Sequence, residues 1–582
     1  MSQKRPNIVF VLTDDQGYGD LGCTGNPWIE TPNIDAFYQD SVRMTNYHVG
    51  TTCAPTRAGL MTGHYANSTG VWHTIGGRSL LRKDEWSLAT ALREQGYETG
   101  IFGKWHLGDS YPYRPEDRGF SEVIVHGGGG ISQTPDYWGN NYYDDTYRVN
   151  GEYQKFHGYC TDVFFAEAKK FIKKNKENPF FCYIATNAPH APYNVEAKYA
   201  DKYRGKVMES RARFYGMISN IDENFGKLRE FLQEEGLEEN TILIFMTDNG
   251  SSNALTYAPD GTVVEGYNAG LKGLKCSEYD GGHRVPFFLR YPDGNITGGK
   301  DVDGLTAYVD FMPTLLEFCD VPCGEHKFHG ISLKHVMENP DESLPKRFVV
   351  TDTQRVPNPI KWKQSAVMMG EMRLVNGKEL YDVAADRMQE HDIAADYPEL
   401  VEEMRQAYED WWDVVSRKYE DPIPLYVTKK TRLTAHDWRG DVDNCVWNQT
   451  LVRKGQRTCG SWEVYAEKDG IYQIQAYRWA PETGYALCQG IEGNDSGYDR
   501  TFVEERAWMD YEGGEEIEIE NAVVVIDGKR MQVQDSIDGT KPCVEFQIPM
   551  TRGNHMLEIQ FKEKGHGIFG AYYAVVACIT EK

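Results

Sequence analysis

The sequence predicts an α/β fold: a large, mostly parallel sheet sandwiched by helices, followed by a small antiparallel α+β subdomain and a C-terminal β-sandwich. From the N-terminus to about residue 330, short apolar runs alternate with longer amphipathic stretches, the pattern of parallel strands and their covering helices. After residue 430, stretches of alternating polar and apolar residues follow one another between Gly and Asp turns, without a long helical pattern. These patterns indicate two large units of different fold class.

Five apolar runs in the first region are predicted to be buried strands, and the amphipathic stretches between them to be helices. The strands are Ile8–Leu12, Glu98–Phe102, Phe180–Ala185, Ile242–Met246 and Val285–Tyr291. The helices are Leu88–Gln95, Thr161–Lys174 and Ala212–Glu235. Because ligands bind beyond the carboxyl ends of the strands in such sheets, the residues after each strand are the first candidates for a functional site.

The chain of 582 residues divides into three predicted regions. Residues 1–340 form the α/β unit, 341–425 the α+β subdomain and 430–582 the β-sandwich. The subdomain is predicted from strand patterns at Arg347–Thr351, Ser365–Met369 and Met372–Val375 and a helix over Glu399–Arg417. The sandwich strands include Trp462–Ala466, Ile471–Tyr477, Val523–Ile526 and His555–Phe561. The segment Asp421–Leu425 is interpreted as a linker, because its prolines disfavour helix continuation.

The chain is acidic, with 62 Lys and Arg against 87 Asp and Glu and a formal net charge of −25. This balance argues against nucleic acid as a partner and against general attraction to anionic membranes, since both need basic surfaces. No apolar run approaches the roughly 18 residues of a membrane span, and Ile8–Leu12 is too short for the apolar core of a signal peptide. We therefore expect a cytoplasmic protein, or a periplasmic or secreted one if a leader peptide has been removed.

Oxygen-bearing side chains follow two of the predicted strands. The first strand runs into Asp14 and Asp15, and the fourth into Asp248 and Asn249. Two central strands thus deliver three carboxylates and an amide to one edge of the sheet. An all-oxygen set suits a hard cation, Ca²⁺ or Mg²⁺, better than zinc. The alternative for either pair alone is an ordinary turn or helix cap.

Basic side chains follow two other strands. Lys104 and His106 come after Glu98–Phe102, and His190 comes after Phe180–Ala185. Such groups can hold an anionic substrate and exchange protons near neutral pH. Lys275 lies just ahead of another strand and is a weaker candidate by position alone.

Cys53 is predicted to begin a short helix, with Pro55 in its first turn and Gly63 at its end. Free N–H groups and the helix dipole favour negative charge there, which is typical of a nucleophilic thiol with a low pKa. A buried structural cysteine in a helix cap is the alternative interpretation.

The segment from Cys53 to Gly63, Cys-Ala-Pro-Thr-Arg-Ala-Gly-Leu-Met-Thr-Gly, closely resembles the signature of type I sulfatases, the formylglycine-dependent enzymes of the alkaline phosphatase superfamily. It departs from the commonest form of that signature only in having Thr56 for Ser, which keeps the hydroxyl. The resemblance extends, in the family's order, from residue 5 to about residue 420 and does not reach the C-terminal region. Its other landmarks are Pro6-Asn7-Ile8-Val9, Asp14-Asp15, Gly103-Lys104-Trp105-His106, Pro189-His190, Thr247-Asp248-Asn249-Gly250, Lys275 with Tyr279 to Pro286, Phe311 to Leu316 and Glu379 to Asp382.

The resemblance implies an alkaline phosphatase-like fold and a role for each candidate residue. Asp14, Asp15, Asp248 and Asn249 would hold Ca²⁺, or Mg²⁺, and the modified Cys53 would complete the metal site. Arg57 and the cation would neutralise the nucleophile and the sulfate oxygens, which Lys104 and Lys275 would bind. His190, with a contribution from Lys275, would protonate the leaving oxygen, and His106 would take the proton that drives recovery of the aldehyde.

The resemblance also implies that residue 53 acts as formylglycine (3-oxoalanine), produced from cysteine by a maturase. One oxygen of the hydrated aldehyde would attack sulfur and release the alcohol, and the other would then expel the sulfate. A serine would be trapped as a stable sulfate ester. The chemistry therefore requires this modified residue and a formylglycine-generating partner.

The substrate is expected to be a sulfated carbohydrate. The stretches around Trp72, His73 and Arg78 and around Trp138 are rich in aromatic and Gly residues and could line a sugar pocket, with Trp72 or Trp138 stacking on a ring. Structural loops whose glycines serve tight turns, including the run Gly127–Gly130, are the alternative.

Two other functions and two roles of the sandwich stay open. The chain could be a phosphonate monoester or phosphodiester hydrolase of the same superfamily, or a non-catalytic glycan-binding protein that kept the fold. The complete set of candidate residues argues against the second. The C-terminal sandwich, residues 430–582, is expected either to bind carbohydrate or to pack against the active site or another subunit.

Overall fold

The computed structural model of the chain describes residues 5–257, 263–427, 430–493 and 512–580. Its largest sheet is mixed, with five parallel strands at the centre, as predicted, and antiparallel pairs towards both edges. The predicted strand at Val285–Tyr291, observed as Phe287–Arg290, is one of the antiparallel ones. In spatial order the strands are Lys300–Val302, Val42–Met44, Phe287–Arg290, Thr241–Thr247, Asn7–Thr13, Phe180–Ala185, Glu98–Gly103, Glu122–Val125, Thr146–Val149 and Glu152–Lys155.

Both faces of the sheet are buried because the central strands are apolar along their whole length. In the strand Asn7–Thr13, Ile8, Phe10 and Leu12 join one apolar core, whereas Val9 and Val11 join the core on the opposite face. The helices of the first core are Cys53–Thr62, Leu88–Glu94 and Phe311–Phe318, and those of the second are Pro32–Asp40, Cys160–Asn175 and Glu209–Glu234. Shorter helices are Ala197–Ala200, Asp280–His283 and Lys334–Glu338. Within the described ranges, no helix is long and apolar enough to cross a membrane.

The register of the central strands brings their carboxyl ends to one edge. Thr13 pairs with Thr247, and Ala185 pairs with both Leu12 and Gly103. The residues that follow these four strands therefore start side by side. This is the edge at which the sequence predicts the site.

A second, four-stranded sheet is antiparallel and carries one long helix on it. The strands are Val349–Asp352, Ser365–Met369, Met372–Val375 and Glu379–Asp382, and the helix is Pro398–Val415. Apolar residues of this unit belong to the same core as one face of the large sheet. The predicted α+β subdomain thus shares a core with the α/β unit. Two short ribbons pair Leu255–Tyr257 with Val263–Gly266 and Tyr47–His48 with Thr306–Ala307.

The C-terminal region consists of two sheets that enclose one core, which confirms the predicted β-sandwich. Trp462 of one sheet is fully buried, and its indole N–H donates to the carbonyl of Thr434 in the other sheet at 2.7 Å. The first sheet contains Leu425–Val427, Trp462–Ala466, Gly553–Glu563, Ile519–Ile526, Lys529–Gln534 and Ile568–Gly570. The second contains Thr431–Thr434, Tyr573–Cys578, Gly470–Tyr477 and Cys543–Met550; the helix Gln449–Arg453 lies in a connection.

The segment expected to be a linker is packed. Ile423 and Leu425 are only 2% and 3% exposed, and Leu425–Val427 is already a strand of the sandwich. The sandwich core also includes Ile75 and Trp138 of the α/β unit. The two units are therefore joined by a continuous apolar core, and the domain limits given above stay predictions.

Candidate active site

The helix Cys53–Thr62 is buried along its whole length and begins at the edge of the large sheet. Thr52 precedes it in an extended conformation, and Gly63 ends it in the left-handed region with φ 69°. Cys53 is 2% exposed at its first position. The helix thus presents Cys53 to the segments that follow the central strands.

The four predicted oxygen ligands meet beside Cys53. The main-chain N–H of Asp15 donates to Oδ1 of Asp248 at 3.1 Å, and Nδ2 of Asn249 donates to Oδ1 of Asp15 at 3.1 Å. One ligand atom each of Asp14, Cys53 and Asp248 lies within 4.8 Å of the others. The structure therefore brings the predicted metal set together.

Each carboxylate is paired with a different Lys or Arg side chain. The pairs are Lys104–Asp14 with an N–O distance of 2.6 Å, Lys275–Asp15 at 2.7 Å and Arg57–Asp248 at 2.6 Å. Burial alone would raise the pKa of Asp15, but Lys275, His190 and Lys104 together hold it below its usual range. Asp248 differs, because burial and the neighbouring Asp14 raise its pKa to about 7 despite the Arg57 guanidinium. A further positive charge beside Asp14 and Asp248 would therefore stabilise the ionised form of Asp248.

Two buried oxygens of this cluster fit a further cation. Oδ1 of Asp14 and Oδ1 of Asn249 have no hydrogen-bond partner among the described residues. Buried oxygens are normally paired, and carboxylate and amide oxygens are the donors that hard divalent cations take. The donor chemistry and the raised pKa of Asp248 both fit Ca²⁺ or Mg²⁺.

His106 faces Cys53 with one ring nitrogen and a main-chain carbonyl with the other. Nδ1 lies 3.3 Å from the Cys53 Sγ, and Nε2 lies 2.9 Å from the carbonyl oxygen of Thr74. A carbonyl can only accept, so Nε2 carries the proton and Nδ1 is the acceptor that faces residue 53. Burial and the neighbouring Lys104 and His436 hold the pKa of His106 well below its ordinary value. The imidazole is therefore a neutral proton acceptor.

His190 has the opposite arrangement. Its Nδ1 lies 2.6 Å from the carbonyl oxygen of Ala191, which leaves Nε2 facing Asp15 at 3.7 Å. Burial, with Lys275 and Lys104, lowers the pKa of His190 to about 4 although Asp15 opposes this. Its side chain is 16% exposed, so it lies at the open side of the site.

The glycine run packs directly on both imidazoles. A Cβ on Gly129 would lie 2.2 Å from Nε2 of His106, and a Cβ on Gly130 would lie 3.2 Å from Nδ1 of His190. Glycine is required where backbone approaches another group this closely. These contacts favour a structural role for the run.

The prediction that Trp72 or Trp138 stacks on a sugar ring is corrected by their burial. Trp72 is fully buried, its indole donates to the carbonyl of Val356 at 3.1 Å, and the Arg78 guanidinium lies 4.3 Å from the ring centroid. Trp138 is 6% exposed and packs edge-on against Trp479 of the sandwich. Neither indole has a face open to a ligand.

His73 and Arg78 are also mostly enclosed, and their role in substrate binding stays a prediction. His73 is 7% exposed, and Arg78 donates to the side chain of Asn358 at 3.2 Å. Burial, Arg355 and Lys275 lower the pKa of His73 to about 3. His73 is therefore neutral at physiological pH.

The interpretation of Cys53 as a low-pKa thiol is wrong. Burial raises the pKa of the thiol to about 11, although Lys104 and Lys275 oppose this. The argument from the helix N-terminus considered the dipole and omitted desolvation. Unmodified Cys53 is therefore a poor nucleophile at neutral pH.

Sequence reasoning missed three groups that contact this site. Thr74 acts through its main-chain carbonyl, which leaves no signature in a sequence. The hydroxyl of Tyr183 accepts from Arg57 at 3.4 Å, and the ring of His436, from the sandwich, lies 6.2 Å from that of His106. Tyr183 lies inside a predicted buried strand, and His436 lies in the C-terminal region that the family resemblance does not reach. Neither position marked the residue as a candidate.

A second buried cluster, His48 with Asp280 and His283, also has closely spaced donor atoms. The Arg373 guanidinium already lies 2.8 Å from Asp280 and 3.2 Å from Nε2 of His48. The arginine supplies the positive charge that the carboxylate needs. This cluster is a structural network that joins the ribbon strand Tyr47–His48 and the helix Asp280–His283 to the strand Met372–Val375.

Comparison with known proteins gives one family. The family model described as Sulfatase matches residues 6–321, more than half of the chain. Human N-acetylgalactosamine-6-sulfatase is 31% identical over 354 residues, which cover 56% of this chain and 65% of that protein. The matched part thus spans slightly less than two thirds of the human relative.

Two further proteins are similar in sequence or in structure. The ulvan-active sulfatase of Formosa agariphila is 28% identical over 370 residues, 60% of this chain and 68% of that protein. The solved structure of Ps i-CgsB in complex with k-i-k-neocarrahexaose superposes with a TM-score of 0.62 at 26% identity and covers 71% of this chain and 98% of that one. These similarities confirm the predicted fold class.

The burial of Cys53 predicts its reactivity in protein prepared without the maturase. At pH 8 we expect iodoacetamide to alkylate Cys53 at least about 100-fold more slowly in the folded protein than in urea, because a thiol with a pKa of about 11 holds little thiolate. Peptide mass spectrometry over time measures both rates. Rapid alkylation of the folded protein at pH 7 would instead support a low pKa of the Cys53 thiol.

Proposed function

The chain belongs to the sulfatase family, and we propose that it is a sulfuric ester hydrolase that releases sulfate from a sulfated carbohydrate. The observation that carries this proposal is the position of Cys53. It begins a buried helix beside the carboxylates of Asp14 and Asp248, with the acceptor nitrogen of His106 at 3.3 Å from its Sγ. Formylglycine at this position would supply the nucleophilic oxygen through its hydrate, with an acceptor for its proton already in place.

We propose that Asp14, Asp15, Asp248 and Asn249 hold Ca²⁺, with Mg²⁺ as the alternative, and that residue 53 completes the site. The unpartnered oxygens of Asp14 and Asn249 support this ligand set. A bound divalent cation supplies positive charge that polarises a sulfate ester and favours an ionised oxygen at residue 53. Arg57 donates to the carboxylate of Asp248 and, at 3.2 Å, to the carbonyl of Lys104. We propose that it thereby orients the metal ligand Asp248.

Lys104 and Lys275 are proposed to bind the sulfate oxygens. Each ammonium group donates to one carboxylate of the site and keeps further N–H groups for a ligand. Three carboxylates and three cations balance within the site, and a divalent cation would leave an excess of positive charge. That excess suits an anionic ester held without bulk water.

The two histidines are proposed to move the protons. Nε2 of His190 is the free nitrogen on the open side, where the leaving oxygen of an ester would need a proton. The anionic substrate opposes the effect of the two lysines on the His190 pKa and favours the protonated ring. Nδ1 of His106 is proposed to take the proton from residue 53 when the aldehyde is restored.

A carbohydrate substrate is supported by the substrates for which the similar proteins are named and by an exposed cation near the site. Arg355 is exposed and forms no hydrogen bond or ion pair with any described residue. The loop that carries it is fixed, because Thr51 donates to Thr353 at 3.3 Å and Trp72 donates to the carbonyl of Val356. We propose that Arg355 binds a second anionic group, a carboxylate or sulfate, of the same glycan.

The first test is the state and activity of residue 53. We expect peptide mass spectrometry to find a mass about 18 Da below that of cysteine, as the loss of two hydrogens and exchange of sulfur for oxygen require, and the same batch to hydrolyse 4-nitrophenyl sulfate. Cys53→Ala and Cys53→Ser should remove nearly all turnover while circular dichroism stays unchanged, because both lack the aldehyde.

Three results would count against the proposal. Wild-type turnover in either Cys53 variant would exclude a covalent role for the residue. Full conversion with faster cleavage of an aryl phosphonate than of the aryl sulfate would favour the phosphonate monoester or phosphodiester hydrolase. Conversion with no turnover of either, alongside tight glycan binding, would favour the non-catalytic alternative.

The second test is calcium binding by thermal stability. Ca²⁺ at about 100 times its Kd should stabilise the folded protein by about 2.7 kcal/mol, seen as a rise in Tm by calorimetry, with Mg²⁺ in a parallel series. Asp14→Asn should abolish most of this rise. Asp352→Asn is the matched control, because Asp352 is a buried carboxylate bonded to Tyr408 outside the site. Equal calcium responses in both variants would contradict the ligand set.

The third test concerns Arg355. Arg355→Ala should raise KM about 10-fold for a sulfated sugar with a second anionic group, equivalent to 1.4 kcal/mol, and leave 4-nitrophenyl sulfate hydrolysis unchanged. Arg417→Ala, another exposed arginine of the same subdomain, is the control. If Arg355→Ala leaves KM for the doubly charged sugar at its wild-type value, the proposed role of Arg355 is contradicted.

A further inference from the structure

The C-terminal sandwich contacts the loop Thr74–Gly77 of the α/β unit directly. The main-chain N–H of Gly76 donates to the carbonyl of His436 at 2.8 Å. Nη1 of Arg439 donates to the carbonyls of Gly76 and Gly77 at 3.1 and 2.7 Å. Three hydrogen bonds to main-chain groups therefore fix this loop against the sandwich.

The glycines of the loop are required by this contact. Gly76 and Gly77 have φ values of 70° and 64°, and a Cβ on Gly76 would lie 2.8 Å from a methyl carbon of Val442. A Cβ on Gly77 would lie 3.0 Å from the guanidinium carbon of Arg439. The backbone of the loop thus lies on the sandwich with no room for side chains.

The same loop holds His106. Thr74, at its start, provides the carbonyl oxygen that accepts from Nε2 of His106, and this bond makes Nδ1 the proton acceptor. The buried ring of His436 lies 6.2 Å from the ring of His106, and its Nε2 has no hydrogen-bond partner among the described residues. The sandwich therefore packs behind the catalytic imidazole as well as behind its loop.

Arg439 connects the loop to two elements of the sandwich. Nη2 donates to Glu463 on the strand Trp462–Ala466 at 3.0 Å and to the carbonyl of Ile423 at 3.3 Å. The main chain of Arg439 forms a bridge with that of Ser461. The guanidinium is thus held rigidly, and it transmits the position of the sandwich to the loop.

We propose that the C-terminal sandwich is part of the catalytic centre, with Arg439 as a positioning residue that acts through the Thr74–Gly77 loop on His106. This rests on the proposed role of His106 as the proton acceptor for residue 53. Arg439 touches neither the proposed metal ligands nor the lysines that would bind sulfate. Its loss should therefore impair turnover and leave substrate binding intact.

The test compares Arg439→Ala with Arg457→Ala in the full-length protein, at equal conversion of residue 53 measured by mass spectrometry. Arg457 is paired with Glu563 and Glu515 inside the sandwich, and its hydrogen bonds to described residues all stay within the sandwich. We expect Arg439→Ala to lower kcat on 4-nitrophenyl sulfate by about 10- to 100-fold, as misplacement of a catalytic group does, with KM within about threefold. Arg457→Ala should keep the wild-type kcat.

Hydrogen exchange supplies a readout that does not depend on activity. The amide of Gly76 should exchange faster in Arg439→Ala and at the wild-type rate in Arg457→Ala. An unchanged kcat in Arg439→Ala, or equal losses of kcat and of protection in both variants, would overturn the proposal. A fully converted wild type that cleaves no sulfate would contradict the proposed function instead, and the exchange comparison would still report the coupling.

A milder variant covers the case in which Arg439→Ala does not fold. Glu463→Gln keeps the shape of the partner and weakens only the ion pair that holds Arg439. We expect faster exchange at Gly76 and a fall in kcat of about two- to fivefold, since the ion pair is reduced to a hydrogen bond from the guanidinium to a neutral acceptor. Wild-type values for both would overturn the proposal.

Discussion

The arrangement of the whole site depends on three carboxylates buried at the ends of two adjacent parallel strands. Buried charges are tolerated only when they are paired, and here each partner comes from a different segment. Arg57 is the single charged residue of the helix Cys53–Thr62, and it is bound to Asp248. This ion pair therefore holds the start of the helix, and with it Cys53, beside Asp248. Pairing with Lys104 and Lys275 fixes two further segments in the same way.

Main-chain carbonyls determine what each histidine of the site can do. His106 donates through Nε2 to Thr74 and His190 donates through Nδ1 to Ala191, so the two rings present opposite nitrogens to the site. A carbonyl cannot titrate, unlike a carboxylate partner, so these tautomers do not change with pH. One fold thus supplies an acceptor next to residue 53 and a second imidazole nitrogen on the open side, with no additional acidic residue.

The sequence was sufficient for five of the ten strands of the large sheet and for the residues that follow them, because strand patterns and parallel register place Asp14, Asp248 and His106 together without knowledge of packing. Properties that depend on burial could not be predicted. The pKa of Cys53 follows from desolvation by surrounding elements, and the enclosure of Trp138 follows from a sandwich that begins about 290 residues later in the chain. The role of the Thr74 carbonyl carries no side-chain signature.

The gradient of exposure across the site agrees with the proposed order of proton transfers. His106 is enclosed between the glycine run and the sandwich, whereas the side chains of His190 and Lys275 are 16% and 19% exposed. The leaving group of the proposed glycan substrate would stay on the open side of the site, so its oxygen would meet its proton donor there. The acceptor that acts on residue 53 itself has no such need and gains from exclusion of water, which would compete for its proton. The sandwich closes the site behind His106, whereas His190 lies at the opening. Protonation of the leaving oxygen and deprotonation of residue 53 would therefore take place on different sides of the site.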